Sequence, residues 1–280
     1  MNIFTFAKLG RTLMLAAVVA VGAVCLSGCG ESEAPEDLLT GDENNINTGG
    51  DNGDDNGGWD NDGVVDPKTV VKGTVTDSDL KVYKTVKIGS QTWMAENLNT
   101  PTADSWCYGE GAPTWPDYPE DKYVTLTPSQ AQANCNKYGR LYTYAAANTA
   151  CPSGWRLPDR EDWDTLLTSV NGDTKKLKAK SGWDNRNDGT SGNGTDNYGF
   201  SALPGGYMSD RRLSGEHPTL FVFAGRSGDW WAYSKESGPY PSSAGEYTVN
   251  ASRGMSYDYD DLSMGGANST SGQSVRCIKK

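Results

Sequence analysis

From Gly30 to Pro67 the chain holds twelve acidic residues and no basic one, and Asn and Gly make up most of the rest. Such a stretch cannot bury enough apolar surface to offset the entropy of ordering it. It reads as a disordered tether over residues 29–68, so whatever folds must be built from residues 69–280. The same subtraction relocates the charge. The nominal net charge is -11, yet from Thr69 to Lys280 there are 24 acids and 22 bases, so the folding part is nearly neutral. The acidity belongs to the tether and describes no binding site. The balance excludes a nucleic-acid binder, because nothing would track a phosphate backbone. Asn52, Asp54, Asn56 and Gly57 follow part of a calcium-loop register, but the twelfth position is Gly63, where a bidentate Glu is needed. A solvated spacer is expected there, with no metal and no cofactor.

Ahead of the tether, Met1 to Arg11 carries Lys8 and Arg11 and no acid, followed by an apolar stretch from Leu13 to Leu26. A basic start, a short apolar run and small residues before a cut site mark a secretory signal peptide, residues 1–28. The alternative is an uncleaved anchor helix, since Leu13 to Cys29 is just long enough to cross a bilayer. Leu26-Ser27-Gly28-Cys29 resembles the lipobox of bacterial lipoproteins. The resemblance implies that Cys29 is acylated and becomes the mature N-terminus, with the lipid bilayer as a partner. Glu31 and Glu33 resemble surface-export signals of some Gram-negative lipoproteins. The expected location is the bacterial outer membrane or cell surface.

In the folding part, Val82, Val86 and Ile88 share one face of a strand. Gly89-Ser90 makes the turn, and Gln91-Thr92-Trp93-Met94 returns as partner. Thr127-Pro128-Ser129-Gln130 starts a helix, with Thr as N-cap, Pro at the first helical position and Gln three residues after the cap. It should run to Tyr138, closed by Gly139. A second helix starts at Asp159, with Trp163, Leu166, Leu167 and Val170 on one face and Gly172 beyond its end. Trp183 to Asn197 is loop-like. Short strands are expected at Tyr198–Leu203, Leu220–Phe223, Asp229–Tyr233, Tyr247–Ala251 and Ser274–Ile278. Two main helices and short, mostly antiparallel strands describe an α+β domain.

Of six cysteines, Cys25 leaves with the signal peptide and Cys29 takes lipid. Cys107, Cys135, Cys151 and Cys277 remain in an oxidising compartment, where four cysteines allow three connectivities. A four-thiolate zinc site lacks any C-x-x-C pair. His217, the single histidine, precedes Pro218 in a polar loop and reads as a surface residue, which leaves no ordinary catalytic triad.

Several segments together resemble a known family. They are Gln91-Thr92-Trp93-Met94-Ala95-Glu96-Asn97-Leu98, Tyr138-Gly139-Arg140-Leu141-Tyr142, and Cys151-Pro152-Ser153-Gly154-Trp155-Arg156-Leu157-Pro158. After them come Tyr198-Gly199-Phe200-Ser201-Ala202-Leu203-Pro204-Gly205-Gly206, the Trp230-Trp231 pair, and Ser274-Val275-Arg276-Cys277. In this order they look like the Fibrobacter succinogenes major paralogous domain, from about Val82 to Lys280. That family occurs mostly in surface and secreted proteins of gut and rumen bacteria. More distantly, Trp155-Arg156-Leu157-Pro158, Gly205-Gly206 and the Val-Arg strand resemble the sulfatase-modifying branch of the C-type-lectin-like fold. This implies a mixed fold whose first and last strands pair. With the ends brought together, it implies a Cys151–Cys277 bridge and leaves Cys107 for Cys135. It does not carry over enzyme activity, because the formylglycine-generating enzymes use reactive cysteines. Nor do the lectin calcium tripeptides Glu-Pro-Asn, Gln-Pro-Asp or Trp-Asn-Asp occur.

Sugar rings stack on aromatic side chains, which also fill cores. Trp93, Trp155, Trp163, Phe200 and Trp231 occupy motif or apolar-face positions and are expected in the core. Trp115, Tyr118, Trp183, Tyr257 and Tyr259 lie among Pro, Gly and Asp in polar loops. They are the candidates for ligand contact, with local loop packing as the alternative. Asp258, with Asp260 and Asp261 beside it, offers carboxylates to a cation or to sugar hydroxyls, with solvated loop acids as the alternative. The function expected is binding of polysaccharide or another cell-wall component by a surface lipoprotein. The alternatives are a carboxylate-based glycoside hydrolase, for which no residue pair stands out, and a structural envelope role. A deep pocket with two carboxylates about 5 to 9.5 Å apart would favour the hydrolase, and a shallow aromatic face the binder.

Overall fold

Gly89 takes a positive φ of 58° at the turn between the two expected hairpin strands, a conformation glycine reaches without a Cβ clash. The hairpin forms there, pairing Val86 with Trp93 and Ile88 with Gln91. The computed structural model describes residues 63–115, 123–210, 219–234, 238–242 and 245–280, all within the unit Asp54–Lys280. The signal segment, Cys29, most of the tether, Tyr118 and His217 lie outside the described residues.

In chain order the first elements are β1 (Val71–Thr76), β2 (Val82–Ile88), β3 (Gln91–Met94), β4 (Ser105–Trp106) and β5 (Thr114–Trp115). Then come α1 (Pro128–Tyr138), β6 (Leu141–Tyr142), α2 (Tyr144–Ala150), β7 (Trp155–Arg156) and α3 (Arg160–Ser169). The rest is sheet: β8 (Gly205–Asp210), β9 (Thr219–Ala224), β10 (Ser227–Trp231), β11 (Gly238–Ser242), β12 (Gly245–Ser256), β13 (Ser263–Asn268), β14 (Gln273–Ser274) and β15 (Ile278–Lys279).

Two sheets result. One runs β1-β2-β3-β15-β7, antiparallel throughout. The other follows β4-β6-β14-β10-β8-β9-β5, and β12 pairs with β10, β11 and β13. Its pairs are antiparallel except β10–β14, β10–β8 and β5–β9. The fold is α+β, rich in antiparallel sheet.

Both expected helices form as their caps dictate. Thr127 and Gln130 close a capping box on α1, and Asp159 and Asp162 close one on α3. Gly139 ends α1 at φ 79°, and a Cβ there would sit 2.7 Å from the Leu98 carbonyl oxygen. Trp163 and Leu166 face the core from α3.

Other expectations need correction. Among the described residues a third helix joins the two expected main ones: α2, capped by Thr143, is mostly alanine and buries only Ala147, so it carries no apolar stripe to read. Tyr198–Leu203 is not a strand. Tyr198, Phe200 and Ala202 are buried in alternation, but Gly199 (φ 69°) and Ser201 (φ 55°) break the extended backbone. Ser274–Ile278 splits into β14 and β15, which belong to different sheets. The last strand pairs with β3 and β7, not with β1. Val82 is exposed. Val65, read as tether, is buried, and its carbonyl accepts the Tyr198 hydroxyl at 2.7 Å, so the ordered body begins upstream of Thr69.

Two disulfides tie the fold, Cys107–Cys135 and Cys151–Cys277, the pairs implied by the C-type-lectin-like resemblance. Trp93, Trp155, Trp163, Phe200 and Trp231 are all buried. The main core cluster draws on both sheets and α3. Trp163 packs 4.9 Å from Trp93, 5.9 Å from Trp230 and 6.2 Å from Phe200, centroid to centroid.

Candidate functional site

The residues that polar loops suggested for ligand contact are mostly spent on structure. Trp115 lies in β5 opposite Val222 and is 8% exposed, packed with Leu220 and Val222. Trp183 is 4% exposed in the main core, its indole N–H donating to the Ala202 carbonyl at 3.0 Å. Neither tryptophan faces solvent, which corrects the expectation drawn from their neighbours. Tyr257 is partly buried and donates its hydroxyl to Asn187 Oδ1 at 2.8 Å. Asp258 accepts the Asn187 backbone N–H at 2.9 Å and its side-chain amide at 2.6 Å. Of the described candidates only Tyr259, at 63%, presents an exposed ring.

Asp260 pairs with Arg186 and with the fully buried ammonium of Lys178, the latter at 3.0 Å. Burial pushes the Asp260 carboxyl up, but the bonds from Arg186 and Lys178 outweigh it and hold the group below its ordinary value. Burial pushes Lys178 down. These acids fasten the loop at 183–197 to the β12–β13 turn. Among the described residues no group of three or more His, Cys, Asp or Glu is placed to hold a metal ion. Among the same residues no helix is long and apolar enough to cross a membrane.

A different surface brings an exposed ring to polar groups. Beyond β10 the chain reaches Tyr233, whose N–H donates to the Pro158 carbonyl at 2.7 Å, fixing it beside the start of α3. Tyr233 is 43% exposed. It borders a groove of about 530 Å³ lined also by Asp159, Arg160, Glu161, Arg253 and Met264. Arg253 comes from β12, opposite Met264 of β13. Its side chain is 3% exposed, and it donates from Nη2 to Asp164 at 3.2 Å. Its Nε has no partner. Burial pushes this guanidinium below its ordinary value against the opposing pull of Asp164.

The two acids nearest one another here, Asp159 and Asp162, have shifts of opposite sign. Burial raises Asp159. Burial also acts on Asp162, but bonds from Arg156, including Nη2 to Oδ1 at 2.9 Å, hold it low. Such a split can mark an acid/base pair. Here Arg156 accounts for it, holding Asp162 low while burial raises Asp159; both carboxylates are engaged in the helix cap, each accepting the other's backbone N–H, at 3.0 and 2.7 Å. The groove therefore offers guanidinium donors, carboxylate acceptors and one open ring. Sequence reading placed Tyr233 at the end of a strand and passed over Arg253. The polar run Ser234-Lys235-Glu236 behind the Trp230-Trp231 pair was the available sign that the chain leaves the core there.

Residues 86–279 match the Fibrobacter succinogenes major domain. The chain belongs to this family. No curated protein and no solved structure matches it. The geometry explains what the segments resembling the Fibrobacter succinogenes major domain do in this chain, because five of the six meet at one buried point. Arg276 donates from Nε and Nη2 to Asn97 Oδ1, at 3.1 and 2.8 Å, and the Trp230 indole N–H donates to the same oxygen at 2.9 Å. Asn97 Nδ2 donates to the Tyr138 carbonyl at 2.8 Å. Arg276 also donates to the carbonyls of Phe200 and Ser201, and its guanidinium lies 4.4 Å from the Phe200 ring centroid. Burial pushes Arg276 down to about 9, so it stays charged at neutral pH. Five of the six segments are spent on this hub, and the groove is lined by residues outside all six.

Proposed function

We propose that this protein is a surface-anchored lipoprotein, acylated at Cys29, whose Fibrobacter succinogenes major domain binds polysaccharide or another cell-wall component. We place its fold in the C-type-lectin-like group, with the antiparallel five-stranded sheet and the Cys151–Cys277 bridge as support. The observation that carries the binding reading is Tyr233. An open ring beside a groove of mixed donors and acceptors suits a ligand with apolar faces and many hydroxyls. A hydrolase reading is weaker, because the groove's closest carboxylates are engaged in capping α3.

The test is a glycan and cell-wall array probed with the full chain, followed by titration of the hits. Tyr233→Ala should weaken binding of a hit at least about tenfold, and Tyr233→Phe should retain it, since stacking uses the ring face. Full binding by Tyr233→Ala would overturn the groove as the site. An array without hits would turn the assignment toward a structural envelope role. Intact mass of the membrane fraction should show diacylglycerol on a chain beginning at Cys29, and a mature chain starting elsewhere would refute the anchor.

A further inference from the structure

A second cavity, also about 530 Å³, opens between β1, β2, the last turn of α1 and the loop at 196–203. Lys72, Lys81, Lys84 and Lys137 line it, together with the carboxylates of Glu96 and Asp196. Elsewhere among the described residues most buried and half-buried cations are matched: Arg140 with Glu110, Arg156 with Asp162, Lys178 and Arg186 with Asp260, Arg226 with Asp184. The four lysines are not. Among the described residues none has a carboxylate within 4.0 Å. The two acids present are held by neutral donors instead. Glu96 accepts the Lys84 backbone N–H at 2.7 Å, and Asp196 accepts the Ser201 N–H and hydroxyl at 2.7 and 2.6 Å.

Lys81 and Lys137 lie over the rings of Tyr83 and Tyr138, 5.2 and 4.6 Å from the centroids. A ring face holds an ammonium in place without neutralising it. Behind the wall stands a fifth cation. Arg276 is fully buried, bonded to Asn97 and Ser201, both of which line the cavity, and no carboxylate pairs with it. A desolvated charge of this kind projects a field that water screens weakly. Five cations thus act on a space holding two carboxylates.

We infer that this cavity binds an anionic oligosaccharide, one whose sugar rings carry carboxylates. Its volume lies in the range of organic-ligand sites and exceeds what a single inorganic anion fills. Lysines supply point charges for single anionic groups, and four of them on one lining suit a ligand that carries several separate charges. Asn99 and Asn136, also on the lining, offer neutral partners for sugar hydroxyls. The inference goes beyond the Tyr233 groove and uses none of its residues, so either site can fail alone.

The experiment is calorimetric titration of the full chain with trigalacturonate, with a neutral galactose trisaccharide, and with inorganic phosphate. Trigalacturonate should bind, and its affinity should fall about tenfold or more between about 50 and about 300 mM salt. Replacing Lys72, Lys81, Lys84 and Lys137 together by Gln should weaken it at least about thirtyfold. All four lysines are exposed, so melting should be unchanged. The pair Lys72→Gln and Lys137→Gln, with a loss of about fivefold, tests the site if the fourfold variant does not fold. The same fourfold change at Lys68, Lys175, Lys279 and Lys280 should leave affinity within about twofold, because only net charge changes. An equal loss in that control would overturn the site. So would equal binding of the neutral trisaccharide, no binding of trigalacturonate, or phosphate binding as tightly as trigalacturonate. Tyr233→Ala should leave all of these values unchanged.

Discussion

Replacing Asn97 by leucine removes the acceptor at the centre of the buried hub while nearly keeping the side chain's volume. Four partners then lose a bond: the Arg276 guanidinium, the Trp230 indole N–H, the Tyr138 carbonyl and, more weakly, the Ser274 hydroxyl. Arg276 and Trp230 are fully buried, so water cannot take the place of the amide. An unpaired charged donor costs about 2 to 3 kcal/mol, and each neutral group about 1 kcal/mol or more. The expected loss is therefore about 4 to 6 kcal/mol, a large share of the roughly 5 to 15 kcal/mol that holds a domain folded. Urea denaturation followed by tryptophan fluorescence should show the midpoint falling by about 2 M at an m-value of about 2 to 3 kcal/mol/M. Asn136→Ala is the control, since Asn136 is exposed and accepts only a 3.3 Å bond from Gln132. A loss below about 1 kcal/mol for Asn97→Leu, or parity with Asn136→Ala, would refute the claim that the signature residues act through this hub.

Burial pushes the Asp229 carboxyl up to about 6, against a bond from the Ser227 hydroxyl. The folded state thus favours the protonated form, so the stability present below about pH 4 is lost as pH rises through about 6. Asp229→Asn should stabilise by about 1 to 3 kcal/mol at pH 7.5, the lower values reflecting the group's remaining solvent contact, and should match the parent at pH 4; parallel melting curves across this range would contradict it. Removing the Cys151–Cys277 bridge opens a loop of 126 residues and should cost about 5 kcal/mol in the chain-entropy model. Removing Cys107–Cys135, with 28 residues, should cost about 3.6 kcal/mol, and the reverse order in urea would count against loop length as the cause.

Where an element is defined by neighbouring residues, its sequence is legible. Thr127-Pro128 with Gln130, Asp159 with the Trp163-Leu166 face, and Gly89 at the hairpin turn each announce their structure locally. Seven residues of mainly alanine give α2 no such mark. The site residues fail for a related reason. Polar neighbours describe what surrounds Trp115 and Trp183 along the chain, but the groups that cover them come from elsewhere, Leu220 and Val222 for one and the main core for the other. Tyr233 is the converse case, an aromatic that follows two buried tryptophans and itself stays in water. Arg253 reaches its groove only through the long β12–β13 pairing, which no local pattern encodes.

The split between β14 and β15 bears on the order in which this chain can mature. Arg276 and Cys277 sit where the backbone crosses from one sheet to the other, joining strands that pair with β6, β3 and β7, each more than a hundred residues earlier. A polypeptide delivered N-terminus first across a membrane would expose Cys107, Cys135 and Cys151 long before Cys277. Cys107 and Cys135 have each other within 28 residues, whereas Cys151 must wait through another 126. During that interval its thiol is open to the wrong partner, and the hairpin of β2 and β3 has no neighbour on its β3 edge. Such non-local closure makes folding slow and leaves an unpaired edge exposed. On the proposed export route, this domain would call for thiol–disulfide proofreading and edge protection on the far side of the membrane until Arg276 arrives.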